Sequence, residues 1–264
     1  MRNEIKKSFG SKGIIFLIVY GLFLIYAFCE FSTISYTDYI WSEFNDEYNF
    51  SIKILVVVLS VVFAQIFPIE QECGMYELVT TSKYGKNRLP RIKIKSALVI
   101  GNMLLLLFLI VTAFSIGRWG KETGNNVIME AKLLPFLKNP YIHTNIELVL
   151  HKMFESVFAV NMSILLSLWL SVHLKKAIET AVMMIIFHIV FSSSVLANAL
   201  NFDVISLLIC SLPVNMICQP VLHTLLFSFG DKNMSVIYLV NVIYIVVMLV
   251  LNWRIRKYTR RHIW

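Results

Sequence analysis

Long apolar runs alternate with short polar segments along the whole chain. Each run approaches or reaches the roughly 20 residues that an α-helix needs to cross a bilayer. The second run is rich in Val and Ile, but its length without a turn signal favours a membrane helix over a strand. The pattern predicts an all-α polytopic membrane protein with one transmembrane domain over residues 1–264. The six spans are expected at about 14–31, 52–69, 96–116, 153–172, 177–196 and 236–253.

Charge differs between the polar segments, and this difference predicts the orientation of the spans. Four Lys or Arg residues precede the first run, six lie within 70–95, two form the turn at 175–176 and five follow the last run, out of 24. Segment 32–50 contains acidic and aromatic residues but neither Lys nor Arg. Since Lys and Arg near membrane ends stay in the cytoplasm, we expect both termini inside and 32–50 as an outer loop.

Composition excludes several classes of protein. The chain is 58% hydrophobic and 15% charged, against about 25% charged residues in a soluble domain. The net charge is +8, and the basic residues that produce it cluster between the apolar runs. We therefore expect a lipid partner and no nucleic-acid partner. The first run is longer than the apolar core of a signal peptide and lacks a small-x-small cleavage site, which predicts a retained span.

The segment between the fifth and sixth spans is less regular. Its apolar pieces, 204–212 and 221–229, are each too short to cross a bilayer and predict re-entrant or interfacial helices. Cys210 and Cys218 lie in this predicted outer segment and could pair. Without a Cys-x-x-Cys motif, buried free thiols are the simpler interpretation.

The basic loop at 70–95 carries the most specific pattern in the chain. Met75, Leu78 and Val79 stand at i, i+3 and i+4, which predicts a short helix over 70–82 with one apolar stripe. A second, basic helix is expected to start just before Pro90 and continue into the third span. An exposed stripe between two spans can lie on lipid headgroups as a connector, or in the groove of a partner protein.

A resemblance to a known family lies in this loop. The residues that carry it are Glu72-x-Gly74-Met75-Tyr76-Glu77-Leu78-Val79-x-x-Ser82-Lys83-Tyr84-Gly85-Lys86-x-Arg88-Leu89. This stretch resembles the loop after the second span in permease subunits of ABC transporters of the ABC-2 type. The Ser-Lys-Tyr-Gly-Lys variant is similar to small permeases of Gram-positive bacteria, some of them tied to bacteriocin or lantibiotic immunity and peptide export.

The resemblance implies a function and partners. The loop would be a coupling helix that docks on a separate ABC ATPase subunit, with a second, smaller contact at the inner turn 173–176. The chain would be a multi-pass protein of a bacterial plasma membrane that moves an amphipathic or hydrophobic substrate, such as a peptide. Six spans would form half a permease, which implies a homodimer or heterodimer. The implied ATPase contacts are Glu70, Glu72, Gly74, Met75, Tyr76, Glu77, Leu78, Val79, Lys175 and Lys176.

Chemistry on the chain itself is not expected. The sequence lacks the Gly-x-x-x-x-Gly-Lys-Ser/Thr loop that binds ATP, so ATP and Mg²⁺ would belong to the partner and the chain is not expected to be an enzyme. We predict no catalytic residue, cofactor site or metal site, since no His-Glu-x-x-His motif occurs.

Two other classes of protein are compatible with a chain of apolar spans, an intramembrane enzyme and an ion-coupled secondary transporter. His188 is the one histidine well inside a predicted span, and we expect it to pack between helices or face a pore and not to bind a metal ion. Lys53, Glu155 and Glu179 stand near predicted span ends, with Glu155 expected to reach water. The span centres otherwise hold neutral polar groups, which disfavours ion coupling.

Overall fold

A computed structural model describes residues 18–32, 40–72, 74, 88–119, 144–192, 212–213, 226–229 and 232–261. Helices dominate these residues. The helices are α1 (Ile18–Ser32), α2 (Ile40–Phe63), α3 (Pro68–Glu72), α4 (Leu89–Trp119), α5 (Asn145–Leu174), α6 (Ala177–Ser192) and α7 (Val236–Arg261). A two-stranded antiparallel hairpin, β1 (Leu226–Phe229) and β2 (Lys232–Ser235), precedes α7.

Four helical stretches are long and apolar enough to cross a membrane. They are Ile40–Glu70, Leu89–Gly117, Asn145–Leu174 and Val236–Thr259. Two further apolar helices, Ile18–Ser32 and Ala177–Val190, are shorter. The predicted class of helical membrane protein is therefore confirmed, while the number of six spans stays a prediction.

Contacts between helices show the direction in which each one runs. Tyr48 pairs with Ser156 and Ser60 with Ser167, so α2 and α5 run the same way. The rings of Tyr238 and Tyr258 on α7 contact His151 and His173 on α5, so α7 is parallel to both. Lys93 near the start of α4 meets Ile66 just after α2, so α4 is antiparallel to them.

These directions gather several cationic segments at one end of the bundle, which we call the basic end. It comprises the residues after α2, the start of α4, the turn between α5 and α6 and the last turns of α7. The Lys and Arg residues of this end whose side chains are described are Arg88, Arg91, Lys93, Lys95, Lys175, Lys176, Arg254, Arg256 and Lys257.

Aromatic side chains fill the core toward the opposite end. Phe31 of α1 lies 5.3 Å from Phe44 of α2, and Tyr48 lies 5.7 Å from Phe108 of α4, between ring centroids. All four side chains are buried. Such pairs each contribute about 0.5–1.5 kcal/mol beyond the area they bury, so the cluster holds α1, α2 and α4 together.

Gly101 marks a close crossing of α4 with its neighbours. A Cβ atom at this position would collide with Cδ1 of Ile164 on α5 and lie 3.4 Å from the Phe63 ring on α2. Small residues let membrane helices approach closely enough for van der Waals packing, which substitutes for a hydrophobic driving force that lipid does not provide.

The prediction of an outer loop over 32–50 is wrong for its described part. Helix α2 begins at Ile40, and Trp41, Phe44 and Tyr48 point into the core. These three aromatic residues stand at i, i+3 and i+7, which is the spacing of one helical face. Their burial against neighbouring helices outweighs the acidic residues on the other faces of the same helix.

The segment before the last span also differs from the prediction. Within 221–229, the described residues Leu226–Phe229 form a strand paired with Lys232–Ser235, with Phe229 opposite Lys232. Apolar and polar residues alternate in Phe-Ser-Phe, and the Gly-Asp that follows is a hairpin turn signal. The predicted helix at 204–212 and both Cys210 and Cys218 lie outside the described residues, apart from Leu212.

Candidate functional site

The start of the predicted coupling loop is a short helix at the basic end. After α2 the chain turns through residues 64–67, and Pro68 begins α3, a place where its fixed φ angle suits a helix. Helix α3 ends at Glu72, and Gly74 has a φ of +66°. This left-handed conformation, natural for glycine after a helix, interrupts the continuous helix predicted over 70–82. Met75, Tyr76, Glu77, Leu78 and Val79 lie outside the described residues.

A buried ion pair joins α3 to α4. The Nζ atom of Lys93 lies 2.8 Å from Oε2 of Glu70, and the two side chains are 4% and 15% exposed. The same ammonium donates a hydrogen bond of 2.8 Å to the carbonyl oxygen of Ile66 and lies 5.0 Å from the centroid of the Phe67 ring. Lys93 therefore binds three consecutive parts of the chain after α2 to the first turns of α4.

A second carboxylate joins α3 to α6. Oε1 of Glu72 accepts a hydrogen bond of 2.8 Å from the backbone N–H of Ala177, the first residue of α6. The first N–H groups of a helix have no partner within the helix, and negative charge is favourable there. The contact brings the two predicted ATPase contacts, the coupling loop and the turn 175–176, next to each other.

The turn between α5 and α6 presents its two lysines to solvent. Lys175 ends α5 in the left-handed conformation, with a φ of 60°, and its N–H donates to the Ser171 carbonyl at 3.3 Å. Lys176 is exposed, and its Nζ lies 2.6 Å from Oε1 of Glu179. This hydrogen bond raises the pKa of Lys176, so the ammonium stays charged. Both lysines are accessible to a partner at the basic end.

The sequence analysis indicated none of the contacts that join these residues to one another. Glu70, Glu72, Gly74, Lys175 and Lys176 all lie at the basic end, and their contact with an ATPase stays a prediction. Lys93 was predicted only as one of six orienting charges, and no sequence pattern indicates that it would be buried. A buried lysine is detected only once its partners Glu70 and Ile66 are seen to approach it.

A polar cluster at the crossing of α2, α5 and α6 accounts for His188. Its Nε2 lies 2.9 Å from Oγ of Ser60, and Ser167 Oγ donates to the Ser60 carbonyl at 2.5 Å. Because the Ser60 hydroxyl donates to the Val56 carbonyl, Nε2–H of His188 is the donor to Ser60. The hydrogen bond therefore joins His188 of α6 to Ser60 of α2, in agreement with the helix-packing interpretation.

We expect substitutions of His188 to separate this hydrogen bond from the volume of the side chain. A Gln side chain can place an N–H near the position of Nε2, whereas Asn places its amide nearer the position of Nδ1. His188→Gln should therefore retain about 1 kcal/mol more stability than His188→Asn, measured by unfolding in detergent. Equal losses in the two variants would contradict the hydrogen bond.

Two ionisable side chains inside α5 are buried, and the prediction made for one of them, Glu155, is wrong. Lys152, which was not singled out, and Glu155, which was expected to reach water, are each 1% exposed. Lys152 Nζ donates to Oδ1 of Asn49 on α2 at 2.8 Å. The adjacent hydroxyls of Tyr48 and Ser156 lie 2.7 Å apart, which extends this polar contact between α2 and α5.

The reason for this error is the position where α5 begins. Thr144 caps the helix, since its Oγ1 accepts from the Glu147 N–H at 3.2 Å and Oε2 of Glu147 accepts from the Thr144 N–H at 3.0 Å. This capping box places Glu155 ten residues inside the helix and not at its end. The signal Thr-x-x-Glu is visible in the sequence and would have predicted the start correctly.

The fold and these contacts define a largely helical membrane protein with a polar contact network at its basic end. Within the described ranges, no group of three or more His, Cys, Asp or Glu residues could hold a metal ion. No family model matches the sequence, and no curated protein matches it.

Proposed function

We propose that this chain is the membrane-spanning permease subunit of an ATP-driven transporter of the ABC-2 type, in the plasma membrane of a bacterium. ATP and Mg²⁺ are held by a separate ATPase subunit, and the chain itself is not an enzyme. The observation that carries the proposal is the pair of contacts made by Glu70 and Glu72. They join the start of the family-like loop to two different helices, α4 and α6.

The charge distribution supports the orientation. Most of the cations whose side chains are described lie at the basic end, as expected of a cytoplasmic face. The described acids of α1, the first half of α2 and the start of α5 lie toward the other end, together with Lys53 and Lys152. With the basic end in the cytoplasm, the loop 70–95 and the turn 175–176 face the compartment in which ATP is hydrolysed.

The contacts supply a path from an ATPase to the membrane helices. A partner that binds residues 75–79 and changes conformation would displace α3, which follows α2 after the short turn 64–67. Lys93 carries this displacement to α4, and Glu72 carries it to α6. The Lys93 and Glu70 side chains are largely shielded from solvent, which strengthens the ion pair. The pair therefore keeps α3 and α4 together when either helix moves.

The complete permease is expected to contain two such chains and an apolar path for its substrate. Six spans make half of a permease, so a second copy or a related subunit completes the path. Large apolar side chains cover the outer faces of α4 and α7, where lipid or that second subunit contacts them. An apolar path suits an amphipathic or hydrophobic substrate such as a peptide.

Docking is tested through the apolar stripe of the loop. The partner is expected to be a soluble ATPase with a Gly-x-x-x-x-Gly-Lys-Ser/Thr loop, encoded beside this chain. We expect Met75→Asp with Leu78→Asp to abolish its co-purification, because two carboxylates would be buried in its groove. The matched control is Met75→Leu with Leu78→Met, which conserves apolar volume and should co-purify as the unchanged chain does. Membrane insertion of each variant is checked by fractionation.

Undiminished co-purification of the ATPase with the Met75→Asp, Leu78→Asp variant would contradict docking through this stripe. The interfacial-connector alternative predicts that outcome, since carboxylates on a headgroup-bound helix affect membrane contact and not a protein partner.

A second candidate is an ion-coupled secondary transporter, favoured by one observation. Lys152 and Glu155 are ionisable and buried in α5, and such groups in membrane spans often mark ion pathways. Transport that stops on addition of a protonophore while cellular ATP is maintained would favour this candidate over the ATP-driven one.

A further inference from the structure

A cavity opens between α5 and α7 at the basic end, apart from the contacts of α3. Its volume is about 590 Å³. Aromatic and cationic side chains dominate its wall, and two aliphatic side chains of α7 complete it. The residues that matter for its chemistry are Trp169, His173, Arg254, Lys257 and Tyr258.

The aromatic wall of the cavity is pre-arranged. The His173 ring lies 4.7 Å from the Trp169 ring and 4.3 Å from the Tyr258 ring, between centroids. His173 Nδ1 donates a hydrogen bond of 2.8 Å to the Trp169 carbonyl oxygen. This bond orients the imidazole and leaves Nε2 as the ring nitrogen for a ligand.

The cationic wall is held by an exposed tryptophan. Lys257 Nζ lies 4.5 Å and Arg254 Cζ lies 5.6 Å from the centroid of the Trp253 ring, which is 53% exposed. The described lining residues include two cations and no carboxylate. The cavity is therefore suited to an anion, and an arginine can bind a phosphate group through two hydrogen bonds.

The depth of the cavity matches the boundary of a bilayer. Arg254 stands 18 residues after the first residue of α7, about 27 Å along the helix at 1.5 Å per residue. The hydrocarbon core of a bilayer is about 30 Å thick. Trp and Tyr rings favour this level, where headgroups meet acyl chains.

We propose that this cavity binds the phosphate-bearing headgroup of an anionic phospholipid. Arg254 and Lys257 contact the phosphodiester, and the stacked rings of Trp169, His173 and Tyr258 form the wall beside it. Val250 and Leu251 line the apolar part of the cavity, which the start of an acyl chain can occupy. That apolar lining favours a lipid over free phosphate. Free phosphate is also an anion, but it has no acyl chain to occupy the apolar part of the cavity.

Charge alone does not distinguish a site from general attraction of lipid, so the test needs a matched pair of variants. Arg254→Gln with Lys257→Gln removes the two cavity cations. Arg91→Gln with Lys95→Gln removes one Arg and one Lys that are exposed at the same end, on α4. The full chain in detergent is titrated with dioleoyl phosphatidylglycerol, dioleoyl phosphatidylcholine or inorganic phosphate, and bound lipid is counted by native mass spectrometry.

We expect one phosphatidylglycerol per chain to bind saturably, with phosphatidylcholine and inorganic phosphate much weaker. The cavity variant should bind it roughly 30-fold more weakly, and the α4 variant within about threefold of the unchanged chain. Arg254→Lys with Lys257→Arg, which keeps both charges, should retain binding and serves if the first variant folds poorly. Equal losses in the two Gln variants, or phosphate binding as well as the lipid does, would overturn the proposal.

Discussion

Lys93→Met should destabilise the folded chain by about 3 kcal/mol, the lower part of the range for breaking a buried ion pair. The change leaves the Glu70 carboxylate, which is only 15% exposed, without its cation, and removes the hydrogen bond to the Ile66 carbonyl. Met conserves most of the volume of the lysine stem, so the loss reports on charge and hydrogen bonding. Unfolding in detergent, followed by circular dichroism, measures it.

Two companion variants isolate the ion pair. Glu70→Gln combined with Lys93→Met removes both charges and should regain part of the loss, because no uncompensated carboxylate remains. Lys95→Met removes an exposed lysine two residues further along α4 and controls for orientation in the membrane. A loss from Lys93→Met no larger than that from Lys95→Met would mean that the pair does not hold α3 to α4.

Gly101→Ala should destabilise the bundle by about 1–3 kcal/mol, the usual cost of overpacking a tight core. The added methyl group meets Ile164 Cδ1 and the Phe63 ring at the crossing of α4 with α5 and α2. In a helix without such contacts the same change is favourable by about 0.5–1 kcal/mol, so the sign of the effect identifies the close approach. Thermal unfolding in detergent reports the result.

A compensating change gives this prediction its specificity. Ile164→Val removes the Cδ1 methyl group with which the new Cβ collides. The double variant Gly101→Ala with Ile164→Val should therefore lose less stability than the two single variants lose in sum. Gly117→Ala, in the same helix with open space around it, is the matched control and should be neutral or stabilising. Strictly additive losses would show that the two helices do not meet through these atoms.

Much of the architecture could be predicted because lipid simplifies the rules. A chain that is 58% hydrophobic cannot hide its apolar surface in water, and long apolar runs must satisfy their backbone hydrogen bonds as helices. The second basic helix, expected to begin just before Pro90, does begin at Leu89. The prediction failed at 32–50 because the acidic residues favoured a loop. The aromatic residues at helical spacing in the same segment indicated a helix instead.

The contacts within the candidate site could not be predicted from the sequence. The loop at 70–95 and the turn at 175–176 were identified from charge and from a family resemblance. Nothing in their spacing indicates that Glu72 would accept a hydrogen bond from Ala177, which lies 105 residues further along the chain. The cavity between α5 and α7 was likewise invisible, since Trp169 and Tyr258 become neighbours only when the two helices pack.

The sequence by itself determined the membrane class, the approximate position of the long helices and the concentration of positive charge in particular segments. These properties depend on local hydropathy and charge, and they hold for each segment before it meets any other. Only the tertiary structure decided that Lys93, Lys152 and Glu155 would be buried and that Gly101 would lie at a helix crossing. Burial and hydrogen bonding depend on which face of one helix meets which face of another, and that choice is made by packing between residues far apart in the chain.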